Sequence, residues 1–79
     1  MKKNSKTLDK GQLAQAIGNR IKAVRAERGI SQSELARICG KDKQHIELIE
    51  NGKVSATSYS LYTLSQGLNI SLSELLKFD

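Results

Sequence analysis

The sequence predicts an all-α domain, compact and built from five short helices, and three observations predict it. Two S-x-x-E helix starts occur, at Ser31/Glu34 and Ser71/Glu74, each able to satisfy free N–H groups at a helix N-terminus. Glycines follow the helical stretches at Gly29, Gly40 and Gly52, where a left-handed backbone closes a helix cheaply. Apolar residues recur at spacings of three and four, the period of one helix face.

Taken in order, the first helix is capped by Asp9 and runs to about Arg28 before Gly29. Leu13, Ile17, Ile21 and Val24 form its apolar stripe, with Arg25 on the flank. Gly18 inside it costs roughly 1 kcal/mol relative to Ala. Either packing against a neighbour or simple tolerance accounts for it. The second helix runs from Gln32 to Cys39, opened by the Ser31–Glu34 box and closed by Gly40. Asp42 caps a third helix, Lys43 to Glu50, which ends before Asn51-Gly52. A loop from Val54 to Thr57 leads to a fourth helix with Leu61, Leu64 and Leu68 on one face. Ser65 lies among them, where its hydroxyl can bond the preceding turn. Ser71 opens a short fifth helix, LSELLKF. Residues 1–8 read as a flexible basic arm and 9–79 as one domain.

The second and third helices, joined by a tight glycine turn, form a helix-turn-helix. Such a unit commonly lays its second helix in the major groove of DNA. Ile46 and Ile49 mark the core side of the third helix, leaving Lys43, Gln44, Glu47 and Leu48 on the other. Gln44 can bond adenine through both amide atoms, Lys43 can reach guanine or a phosphate, and Leu48 can rest on a thymine methyl. Taken alone, the same helix face reads equally as ordinary solvated surface. Glu50 shares the core side, and a buried carboxylate needs a partner. Arg25 is the candidate, in a structural Arg25–Glu50 ion pair between the first and third helices. Otherwise Glu50 sits at a frayed, wet helix end.

The pattern R-x-x-x-G-I-S-Q-S-E-L-A, a glycine turn, then I-x-x-I-E-N-G-K resembles the phage-repressor-like helix-turn-helix family. That family includes Cro proteins, phage repressors and the xenobiotic-response-element (XRE) regulators. The resemblance spans roughly Leu13 to Leu76. It implies a five-helix lambda-repressor-like fold and dimeric binding to an operator of two half-sites. It further implies that Gln32 bonds a DNA phosphate and steadies the first side chain of the reading helix. Asn51 and Lys53 then grip the backbone, and Lys43, Gln44, Glu47 and Leu48 face bases. Arg25 and Glu50 match the family's structural pair. Gln32 also has an independent rationale, since a helix N-terminus favours phosphate. Three departures stand out: Lys41 where the turn usually buries Val or Ile, Cys39 for a core Leu, and Ser58 for an apolar residue. Together they point to modest stability.

Composition limits the alternatives. The net charge is +5, but it is uneven. Residues 1–30 carry eight Lys/Arg against two acids, residues 31–53 four of each, and residues 54–79 a net −1. Phosphate attraction is therefore expected from the N-terminal arm and from Arg20 or Lys22. A chain of this length buries about 60% of its unfolded surface. Its single histidine, His45, and single cysteine, Cys39, make no ligand cluster, so no enzyme activity, metal or cofactor is expected. No apolar run is long enough to span a membrane, and neither a secretory signal nor a location other than the cytoplasm is expected.

Double-stranded DNA is thus the expected partner, for a sequence-specific transcriptional regulator and repressor acting as a homodimer on a palindromic operator. Leu72, Leu75, Leu76 and Phe78 supply the expected dimer interface, unless they complete the monomer core. The alternative is an antitoxin-type interaction module that binds a toxin partner.

Overall fold

A computed structural model describes residues 7–77 of the chain. Five helices follow in order: α1 (Lys10–Arg28), α2 (Gln32–Cys39), α3 (Lys43–Glu50), α4 (Ser58–Gly67) and α5 (Leu72–Leu75). All regular structure among the described residues is helical. No described helix is long and apolar enough to cross a membrane.

Local chemistry sets the ends. Asp9 and Gln12 form a reciprocal box on α1, with Gln12 N–H donating to Asp9 Oδ1 at 2.8 Å and Asp9 N–H to Gln12 Oε1 at 3.0 Å. Leu8 and Leu13 occupy the positions of a hydrophobic staple around that box, and both are exposed. Leu13 therefore leaves the core stripe expected of it; it lies one turn beyond the part of α1 that other helices cover. Gly29 and Gly40 take φ of 66° at the ends of α1 and α2. Ser31 caps α2, accepting from the Glu34 N–H at 3.0 Å. Only the serine half of that box is made, because Glu34 turns toward Arg37, 4.0 Å away. Asp42 has the extended backbone of an N-cap, yet its side chain makes no capping bond. At α5 the helix is shorter than LSELLKF. Its backbone tightens at Leu76, and Lys77 N–H bonds Glu74 C=O in a three-residue turn.

The helices pack in a ring: α3 on α1 and α2, α4 on α2 and α5, and α5 back on α1. All five contribute to the core of Ile21, Val24, Leu35, Ala36, Ile46, Ile49, Leu61, Leu64, Leu68 and Leu75. Ser65 is wholly buried, its hydroxyl donating to Tyr62 C=O at 2.7 Å. Leu75 is also wholly buried, which corrects its place in the expected dimer interface: it plugs the monomer core and has no surface to offer. Leu72 and Leu76 pack against the core but stay half-buried. Phe78 lies outside the described residues, as does most of the proposed arm, 1–6.

The departures at the turn are accommodated. Lys41 is half-buried, and its ammonium donates to Ser60 Oγ on α4 at 3.3 Å. Cys39 packs beside Gly67, whose missing side chain leaves room for the sulfur. Burial pushes the Cys39 thiol up, against the opposing charge of Lys41.

Gly18 is a packing position. A Cβ there would stand 2.6 Å from the Glu50 carbonyl oxygen and 2.8 Å from its carbon, and helix backbone cannot yield as a flexible side chain does. In an open helix, Gly18→Ala would stabilise by about 1 kcal/mol through propensity. Here the clash reverses the sign, and a loss of roughly 1–3 kcal/mol is expected. Urea unfolding reads the sign directly; a gain in stability would show that α1 and α3 do not approach so closely.

Candidate nucleic-acid interface

The eight residues of α3 are too few to hold a helix alone, so the orientation of this helix comes from its contacts. Ile46, Ile49 and Glu50 are buried, whereas Lys43, Gln44, Glu47 and Leu48 are exposed. Leu48 is 37% exposed, a leucine on an otherwise polar face. His45, between the two sides, is half-buried. Just beyond α3, Asn51 is exposed, Gly52 turns the chain with φ of 69°, and Lys53 is exposed after it.

Glu50 anchors this unit from beneath. Its carboxylate is wholly buried and receives Arg25 Nε at 2.7 Å and Arg25 Nη2 at 3.0 Å, a two-pronged fit. Arg25 Nη1 also donates to Ile30 C=O at 3.0 Å, in the link between α1 and α2. The Glu50 carboxylate, chiefly through these hydrogen bonds, raises the Arg25 pKa above its ordinary value. Gln32 adds a third donor: its Nε2 lies 2.9 Å from Glu50 Oε1. One Gln32 N–H is thereby committed inward, while the second N–H and the amide oxygen keep their bonding capacity. No spacing rule links a residue at the start of α2 to one at the end of α3, so sequence reasoning did not pair them.

Two other α1 arginines are also committed to the fold. Arg20 donates to Glu74 C=O through Nη2 at 2.9 Å and Nε at 3.3 Å. Arg28 Nε donates to Leu68 C=O at 2.9 Å, covering an end carbonyl of α4. Both were missed as structural groups, although Arg20, Val24 and Arg28 follow one i,i+4 row with a buried Val24 at its centre. Arg20 as a source of phosphate attraction is corrected accordingly: its guanidinium is engaged on α5.

The helix-turn-helix fold agrees with known proteins. A helix-turn-helix family model, HTH_3, matches residues 21–75. The chain belongs to this HTH_3 family. It is 39% identical over 60 residues to the control protein C.MunI of a Mycoplasma species, covering 75% of this chain and 81% of that protein. The crystal structure of SinR, a master regulator for biofilm formation, in complex with DNA has a TM-score of 0.71 and 39% identity. The match covers 77% of this chain and 98% of the SinR chain in that structure. The restriction-modification controller protein C.AhdI of Aeromonas hydrophila gives a TM-score of 0.77 at 27% identity, covering 78% of this chain and 94% of that one. The HTH_3 chain described here is thus a DNA-binding transcriptional regulator of the XRE type.

The anchor makes a sharp energetic test. Arg25→Ala leaves a buried carboxylate without its charge partner, for which a loss of roughly 3–5 kcal/mol is expected. Replacing both partners together, Arg25→Met with Glu50→Leu, removes the orphaned charge and should recover most of that loss. Denaturant unfolding of the three proteins decides it. A double variant no more stable than the single one would mean the pair contributes through more than charge compensation.

Proposed function

We propose that this HTH_3 regulator is a sequence-specific repressor that binds double-stranded DNA as a homodimer on a palindromic operator. The observation that carries the reading is the division of α3, with Glu50 and two isoleucines locked inward and Lys43, Gln44, Glu47 and Leu48 facing solvent. A helix anchored in this way presents a fixed set of side chains to a groove edge. Lys43 and Gln44 are the hydrogen-bonding readers, suited to guanine and adenine edges. Leu48 supplies the apolar contact to a thymine methyl, and Glu47 can accept from cytosine. Gln32, Asn51 and Lys53 hold phosphates on either side, fixing register without reading sequence.

Leu72 and Leu76, half-buried on the monomer, support pairing through the α5 end, with Phe78 as a further contributor. A two-fold axis there would set the two reading helices about 34 Å apart, one turn of DNA. Bound across a promoter, such a dimer represses by occupying the site.

Fluorescence anisotropy on DNA from upstream of the protein's own gene, beside a scrambled duplex, tests the reading. A preference of about a thousandfold or more for the natural duplex is expected of a specific regulator. Binding to neither would turn attention to the antitoxin-type alternative and to a protein partner. Gln44→Ala or Lys43→Ala should cost about 1–3 kcal/mol and relax sequence preference, while Asn51→Ala should weaken all duplexes alike. Unchanged preference in Gln44→Ala would remove it from the reading face. Light scattering at micromolar concentration, alone and with operator, checks the dimer; a monomer in both would sink it.

A further inference from the structure

The cations of this chain divide into those that hold the fold and those that do not. Among the described residues, Arg20, Arg25, Arg28 and Lys41 each bond a group on another part of the chain. Lys10 and Lys53 take part in none of the salt bridges found there. These two lysines, 43 positions apart in the sequence, line one open cleft of about 480 Å³. Gly11 and Ala14 of α1 form one wall, and Gly52, Val54 and Ser55 form the other. The floor continues into a small apolar hollow bounded by Leu13, Ile17, Ile49 and Ala56.

The cleft is well defined. Gly52 lies so tightly on α1 that a Cβ there would stand 2.7 Å from Gln15 Oε1 and 3.0 Å from Gln15 Cα. The turn carrying Lys53 is therefore fixed against the helix that carries Lys10. Asp9 is the acidic neighbour on α1, and its carboxylate is turned onto the helix's own amides, accepting from Gln12. The cleft thus sets two exposed ammonium groups against the one Asp9 carboxylate beside Gly11, with Ser55 in the wall that carries Lys53.

We propose that this cleft seats a phosphate of the DNA backbone, with Lys10 as a phosphate contact on α1. The inference rests on the DNA-binding reading above and extends its footprint from the turn behind α3 to the first turn of α1. A lysine acts there as a compact point charge, so the contact adds affinity without sequence information.

The test measures the salt dependence of binding to the preferred and scrambled duplexes for wild type, Lys10→Ala and Lys10→Arg, with helix content checked by circular dichroism. Lys10→Ala should reduce the slope of log affinity against log salt by about 0.9 and weaken both duplexes by the same factor. Lys10→Arg should retain the wild-type slope. If wild type shows specific binding but Lys10→Ala leaves the slope unchanged, the Lys10 contact is wrong and the DNA reading stands. A loss confined to the preferred duplex would overturn it too, since that is the signature of base reading. Wild type that binds neither duplex overturns both.

Discussion

Everything outward-facing in this protein depends on one inward-facing charge. Glu50 is a wholly buried carboxylate, and stripping it of water is affordable only if it is fully bonded. Two N–H groups of Arg25 and one of Gln32 do that, while Arg25 also takes the Ile30 carbonyl. One carboxylate thus joins the last turn of α1, the α1–α2 link, the start of α2 and the end of α3. The Gly18 contact acts on the same point, bringing α1 against the final carbonyls of α3. With that end held at fixed depth, Lys43, Gln44, Glu47 and Leu48, two to seven residues earlier, have a fixed exposure.

This constraint also explains why formal charge misleads when read by segment. The first 30 residues hold eight of the chain's 13 cationic residues, which suggests an electrostatic front. Three of those eight are arginines spent on Glu50 and on carbonyls of α4 and α5. Arginine suits this work because its planar fork reaches two acceptors at once and keeps its charge when partly buried. The lysines of α1, Lys10 and Lys22, are left exposed. Along α1, charge type rather than charge count separates the cations of the frame from those left exposed.

Much of the architecture was legible because its determinants are local. Asp9, Ser31 and Ser71 cap helices through bonds spanning three residues, and Gly29 and Gly40 end them with left-handed backbone. The Arg25–Glu50 geometry also lies within reach of sequence, since a carboxylate on the apolar side of α3 calls for a cation on a neighbouring apolar flank. What escaped depends on distances between helices. Leu13 has the right period for the core but lies past the end of its cover, and Leu75 looked like surplus apolar area but fills the middle. Gln32 was read as a phosphate contact that also steadies the reading helix; its bond to Glu50 escaped because that position exists only after α2 and α3 have packed. The α5 stop at Leu75 has no glycine to announce it. At the candidate interface, α3's exposed face was readable from spacing, whereas the cleft joining Lys10 to Lys53 was not.

The arrangement of helices has a mechanical consequence for the proposed dimer. The α3 and α5 helices both pack on α1, which over 19 residues extends about 28 Å. Arg25 fastens α3 to this rod, and Arg20, five residues earlier, fastens α5 through the Glu74 carbonyl. Bending between them would require stretching several consecutive helix hydrogen bonds. A two-fold contact made at α5 is therefore transmitted to α3 by a stiff element rather than by a loop. In the proposed dimer, the spacing of the two reading helices, and hence of the half-sites they would accept, would follow from where α5 meets its copy. On the proposed reading, a change of half-site spacing would act first on the α1–α5 contact around Arg20, and a change of base sequence on the proposed readers Lys43, Gln44 and Leu48.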